Sequence, residues 1–275
     1  EHEINDMVVG ADGRGLFVAF GKRWGELRIE SGTTPLMLAC YKGDLNRMSA
    51  ILQQGAGVDQ QDSDGYTPLF VASSKGHVDA ARLLLDAGAA VDKRREGDWS
   101  SFGLACALGH LDVATLLADR GAAVDLCLDG ATPLLFAYRQ RNLDAMRFCL
   151  EHGADPNCAD KKGTTVLYEA CQNGHVDTAL LLLDKGAEVN RALKNGATPL
   201  YVACEKGHVD AARLLLEKGA DVNRALENGA TPLFIACEEG HVDAARLLLD
   251  KGAEVNRANK KGATPLYAAC RNGHV

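Results

Sequence analysis

The sequence predicts an all-α solenoid of stacked helix–turn–helix units joined by projecting β-hairpin or turn loops. Three observations predict it. Equivalent segments headed by Thr34, Thr67, Ser100, Thr132, Thr165, Thr198, Thr231 and Thr264 recur every 33 residues, with one interval of 32 between Ser100 and Thr132. Six of the seven prolines sit directly after such a head residue, where proline opens a helix instead of breaking it. Between the heads, apolar residues fall at helical spacing. A unit this short cannot bury its own apolar face; stacked copies can, so the period itself argues for a repeat architecture.

The unit beginning at Thr198 justifies each element in turn. Thr198-Pro199-Leu200 is a helix start, with threonine as N-cap and proline in the first turn. About two turns later Gly207 offers a left-handed stop. A second helix follows, with Asp210 in its first turn where a carboxylate suits the helix dipole. Val209, Ala212, Leu215 and Leu216 give it a core face, and Arg213 and Glu217 lie four apart on the outer face. Lys218-Gly219 ends it, and Ala220-Asp221-Val222-Asn223 leads through a polar stretch to a turn at Gly229.

The period, together with the recurring TPLxxAC, GHVD and GADVN strings, resembles the ankyrin-repeat family. The resemblance runs from about Ser31 to Val275 as eight repeats, the last incomplete. It implies L-shaped helix pairs with projecting hairpins and a concave surface lined by the first helices. It also implies a protein-binding role, and asparagines at 157, 190, 223 and 256 that resemble those hydroxylated in some members.

The domain reading is a non-repeat segment over 1–30 and a repeat domain over 31–275, truncated in its last repeat. Within the first segment, Met7-Val8-Val9 and Leu16-Phe17-Val18-Ala19-Phe20 around a glycine-rich turn read as a small hairpin or cap. The chain opens on Glu1 and stops where a second helix of repeat eight should begin, so we expect a fragment with repeat sequence continuing past Val275. Repeat three departs from the pattern, with Ser100-Ser101-Phe102 at its head and Gly103 inside the helix, at a cost of about 1 kcal/mol relative to alanine. Repeat four carries Arg141-Asn142 in place of Gly-His and Tyr138 in place of cysteine. Repeats six and seven carry Leu193 and Leu226 where the family has a hairpin aspartate. Repeats three and four are therefore expected to be the softest.

Charged residues are 24% of the chain and hydrophobic ones 47%, which excludes a disordered tract, and the net charge of −7 argues against nucleic acid as main partner. No apolar run reaches membrane-spanning length. Nine cysteines without a CxxC pair, six of them at one repeat position, read as reduced, buried thiols in an intracellular, cytoplasmic protein. One histidine per repeat is too sparse to share a metal ion and reads as a helix-start residue. Gly15, Gly21 and Lys22 have the wrong spacing for a phosphate loop, and no nucleophile–base pair stands out. The expectation is a non-catalytic, monomeric scaffold or adaptor with no cofactor and no membrane insertion; the alternative is the targeting or regulatory segment of a larger kinase or ubiquitin ligase.

Positions that differ from repeat to repeat are the candidates for partner contact. At the hairpin tips they are Lys93, Arg94 and Arg95 with Trp99 nearby, and Lys194 and Asn195. On the first helices they are Phe136, Arg139, Gln140, Glu169, Gln172, Asn173, Glu205, Lys206, Glu238 and Glu239. The basic tip either grips an acidic partner or is a solvated turn with Trp99 packed inward. The apolar series Val71, Leu104, Val202 and Ile235 either lines a groove or packs inside. Near-identity of repeats six to eight places the expected specificity in repeats two to five.

Overall fold

A computed structural model of the chain describes residues 17–20, 23–26, 33–93, 99–125, 132–160 and 162–274. It divides into two compact units, Glu1–Arg95 and Glu96–Val275. In the first unit, strands β1 (Phe17–Phe20) and β2 (Arg23–Glu26) pair antiparallel, with Phe17 opposite Glu26 and Phe20 opposite Arg23. Phe17–Phe20 thus pairs with the segment that follows it, Arg23–Glu26. Met7–Val9 and the glycine-rich turn lie outside the described residues. Two helix pairs follow, α1 (Pro35–Lys42) with α2 (Leu45–Gln53), and α3 (Pro68–Ser74) with α4 (Val78–Asp86). First helix packs on first helix and second on second.

The second unit repeats this arrangement. Its first helices are α5 (Ser101–Leu108), α7 (Pro133–Arg139), α9 (Val166–Gln172), α11 (Pro199–Glu205), α13 (Pro232–Glu238) and α15 (Pro265–Arg271). Its second helices are α6 (Leu111–Asp119), α8 (Leu143–Glu151), α10 (Val176–Asp184), α12 (Val209–Glu217) and α14 (Val242–Asp250). The stacked helix–turn–helix architecture is the one expected. Each first helix is capped as its sequence dictates: Thr198 Oγ1 accepts from the N–H of Tyr201 at 3.1 Å, and Ser100 Oγ from Gly103 at 3.0 Å. Such a cap contributes about 1 kcal/mol per helix.

The core is built from the repeated leucines, alanines and cysteines. Leu200, Ala203, Cys204 and Leu215 have no exposed surface, and Met37, Phe70, Tyr168, Tyr201 and Phe234 form a buried ladder at one repeat position. Burial pushes the Cys40, Cys171 and Cys204 thiols up to about 12. Cys106 is raised as well, first by a hydrogen bond shared with Cys149 and then by burial.

Gly207 shows why the Gly-His pair recurs. Its φ of +70° belongs to glycine, and a Cβ there would meet His241 Nδ1 at 2.6 Å. The histidine ring thus lies on the glycine of the preceding repeat. Its Nε2–H donates to the Glu205 carbonyl at 3.0 Å, one of the carbonyls that α11 leaves unpaired at its C-terminus. His208 does the same to Gln172 at 3.1 Å and His77 to Tyr41 at 3.3 Å. The histidines start helices as expected, and they also stitch neighbouring repeats.

Gly103 is not simply a weak point in α5. A Cβ at that position would lie 2.6 Å from Trp99 Cε3, so the glycine admits the indole. Trp99 meets Phe136 edge-on at 5.0 Å, and Phe102 stacks near Phe148 at 6.2 Å. Trp99 stands where later repeats have Ala197, Ala230 and Ala263, and Phe102 and Phe148 where repeat six has Leu200 and Leu214.

Candidate functional site

At the loop tips, backbone geometry does the positioning. Asp62 Oδ1 accepts from the N–H groups of Asp64 (3.0 Å) and Tyr66 (2.9 Å), and Asp160 Oδ1 accepts from Lys162 and Thr164, both at 2.8 Å. Leu193 and Leu226 cannot do this. Asn195 and Asn228, two residues on, take over by accepting from Ala197 (3.0 Å) and Ala230 (2.9 Å). Adjacent tips also join through the backbone, Glu227 N–H to Asn195 O at 3.1 Å and Lys260 N–H to Asn228 O at 2.8 Å. The half-buried leucines lie along this seam: a Cβ on Gly196 would meet Leu226 Cα at 3.2 Å. The tips therefore form a connected row from which Lys194 and Lys260 project, both exposed.

A second clasp ties repeat to repeat below the tips. Asn157 Nδ2 donates to Gly186 O at 3.1 Å while its Oδ1 accepts from Glu188 N–H at 2.7 Å. Asn190 repeats the pattern on Gly219 and Asp221. At Asp125 only the accepting half survives, from Asp155 N–H at 3.0 Å, and Oδ1 is buried with no partner among the described residues.

Between tips and first helices lies a cavity of about 600 Å³. Tyr201, Phe234 and Tyr267 form one wall, Lys260 and Lys261 overhang it from the tip, and Glu238 and Arg271 border it from the helices. Burial is the first cause that pushes the Tyr168 hydroxyl up to about 12, with Glu205 adding to it. Tyr201 is raised likewise, by burial, then Glu205 and Glu238. Glu238 on the helix face thus stands beside the aromatic ladder, across from the basic Lys260–Lys261 tip.

The family model described as ankyrin repeats (3 copies) matches residues 16–96, 92–160, 150–225 and 224–275. The chain belongs to the ankyrin-repeat family. No curated protein matches it. Ankyrin repeats are generally protein–protein interaction modules.

Within this ankyrin stack the expected contact residues are placed unevenly. Gln140, Gln172, Asn173, Lys194, Asn195, Lys206 and Glu239 are exposed, and Glu205 and Glu238 are half-buried. Glu238 borders the groove. Lys206 Nζ lies 3.7 Å from Glu205. Arg139 and Glu169 are spent on each other, through Nη2–Oε1 at 2.5 Å and Nε–Oε2 at 3.3 Å. Phe136 is half-buried against Trp99. Trp99 itself is 2% exposed and presents no contact surface, because the glycine opposite it makes an indole-sized hole in the core. Lys93 is exposed, while Arg94 and Arg95 lie outside the described residues. Val71, Leu104, Val202 and Ile235 are buried, so at those levels the first helices offer no apolar groove. The groove lies in repeats six to eight. Tyr201, Lys260, Lys261 and Arg271 belong to it; the signal for the last three in the sequence is that tip and helix-end residues differ from repeat to repeat.

Among the described residues, no group of three or more His, Cys, Asp or Glu side chains could hold a metal ion, and no helix is long and apolar enough to cross a membrane.

Proposed function

We propose that the chain is a non-catalytic scaffold that holds partner proteins in its concave groove, with the hairpin tips as the rim. The observation that carries this reading is the groove itself: an aromatic wall of Tyr201, Phe234 and Tyr267 between basic tips and the acidic Glu238. Cavities of a few hundred Å³ with apolar walls and a few placed charges are where binding energy concentrates. The proposed contact surface continues along the exposed helix ends Gln140, Gln172, Asn173, Lys206 and Glu239 and the tip residues Lys194 and Asn195; in the first unit Lys93 is proposed separately as a contact residue. Glu205 and Phe136 contribute at its edge, and the Arg139–Glu169 pair acts as a rigid, neutral spacer.

A photo-crosslinking amino acid at Lys261 in the groove, compared with one at Arg213 on the outer face, tests this. Expected are discrete protein adducts from Lys261, removed by charge reversal at Glu238 and Arg271, with none of them from Arg213. Adducts of the same proteins from both positions, or groove adducts indifferent to the charge reversal, would sink the proposal.

A further inference from the structure

Repeats four and five hold a second cleft, of about 410 Å³, at the turn between their helices. It shares no residue with the groove above, so either site can fail without the other. Tyr138, Arg141, Leu143, Met146, His175 and Val176 line most of it.

The cleft has a local cause. At His208 and His241 the ring lies on the glycine of the repeat before it, and its Nε2–H is spent on a carbonyl. At position 141 that glycine is an arginine, held at φ +55° as the one non-glycine with positive φ among the described residues. His175 turns instead to Tyr138. Asn173 Nδ2 donates to the Tyr138 oxygen at 2.9 Å, and the phenol lies 3.1 Å from His175 Nδ1. We assign the phenol O–H as hydrogen-bond donor to Nδ1, the arrangement that gives its oxygen one bond accepted and one donated. Nδ1 is then the bare nitrogen and Nε2 carries the hydrogen. Burial first, and then the positive charges of Arg141 and His208, hold this imidazole neutral by lowering its pKa. Among the described residues nothing accepts from Nε2, and no carboxylate pairs with the Arg141 guanidinium.

The cleft therefore presents two uncommitted donors, one of them cationic, above a floor of Leu143, Met146 and Val176. A left-handed arginine carries backbone strain that glycine at the same place would not, and such strain concentrates at sites that bind. Asp177 on the rim repels a doubly charged phosphate more than a singly charged carboxylate. We propose that this cleft is a binding site for a carboxylate side chain flanked by apolar residues, as in an acidic peptide segment of a partner protein, with Arg141 and His175 as its donors.

The test is NMR on the 275-residue chain with ¹³C-labelled histidine, titrated with acetyl-Leu-Glu-Leu-amide. A saturable shift of the His175 Cε1–Hε1 signal is expected. Removing one charge-assisted partner should weaken it by about tenfold or more, whether through the Gln peptide or through Arg141→Gly. That variant restores the residue found at this place in sibling repeats and so should keep the fold. Arg213→Gln, with the same loss of charge on the outer face, should bind as the parent does. The proposal is overturned by no saturable shift up to the solubility limit, by equal binding of the Gln peptide or of the Arg141→Gly chain, or by tighter binding of the phosphoserine peptide.

Discussion

Replacing Asp125 with asparagine should stabilise this protein at neutral pH. Asp125 occupies the clasp position that Asn157 and Asn190 hold in later repeats. There the amide does two jobs, accepting one backbone N–H and donating to a glycine carbonyl at 3.1 and 3.4 Å. Gly153 stands at the corresponding place in repeat four. The Asp125 carboxylate accepts from Asp155 N–H, but its other oxygen is buried with nothing to receive. An unsatisfied buried polar atom costs about 1–3 kcal/mol and a recovered hydrogen bond contributes about 0.5–1.5. Asp125 is only half-buried, so the low end applies and Asp125→Asn should gain about 1 kcal/mol.

The pH dependence fixes the cause. Burial raises the Asp125 pKa, the Asp155 N–H opposes that, and the Asp155 charge adds to the rise. A group whose pKa is higher folded than unfolded binds its proton more tightly in the fold. Its stabilising contribution is complete below the unfolded value of about 3.9 and is lost as pH rises through the folded value. Protonated Asp125 can donate as the asparagine does. The advantage of the asparagine variant should therefore be full at pH 7 and shrink towards zero as pH falls to about 4. Urea midpoints followed by circular dichroism at several pH values, with hydrogen exchange at Ala154 and Asp155 as a local probe, measure it. A variant no more stable than the parent at pH 7, or one whose advantage does not change with pH, would refute the reasoning.

Other expectations can be checked on the same footing. Gly207→Ala should cost roughly 2–4 kcal/mol, since it meets both a left-handed φ and the His241 ring, whereas Gly219→Ala, with φ +87° and open space around it, should cost only about 1–2; chemical denaturation of the two side by side separates the ring contact from the backbone term. Gly103→Ala should destabilise the parent by about 1–3 kcal/mol by overpacking against Trp99, yet stabilise a Trp99→Ala chain by about 0.5–1 through helix propensity, a reversal that a double-mutant cycle reads directly. With iodoacetamide at pH 8, exposed Cys270 should alkylate first, while Cys40, Cys171 and Cys204, buried and raised to about 12, should react only after unfolding, as peptide mass spectrometry will show.

Repetition made the fold legible. Every cap, stop and core position was present several times, so local preference and register agreed across copies. The carboxylate-for-amide difference at Asp125 was also on the page, although its consequence needed the partner carbonyl's direction. Single departures were harder to read. Trp99 beside a basic tip looks like a contact residue until Gly103, four residues on, is seen to be the hole that receives it. The Arg139–Glu169 pair is 30 residues apart and reads as two free charges unless the offset between neighbouring first helices is known. The histidines were placed correctly at helix starts, but their bonds to the preceding repeat depend on a vector between repeats that one unit's sequence does not contain.

The irregular residues are not scattered. Trp99 goes with Gly103, Arg139 with Glu169, and Tyr138 with Asn173, His175 and Arg141, all within repeats three to five. Each set departs together and compensates within itself, in contrast to the uniform Gly-His stitch of repeats six and seven. A lone departure would leave a hole, an unpaired charge or a clash; a coupled set leaves a new shape at little cost in packing. Ring displacement by Arg141 is compensated differently: His175 turns to Tyr138, and a cleft opens beside Arg141. An opened shape of this kind, more than sequence variability alone, is the feature to test for a ligand.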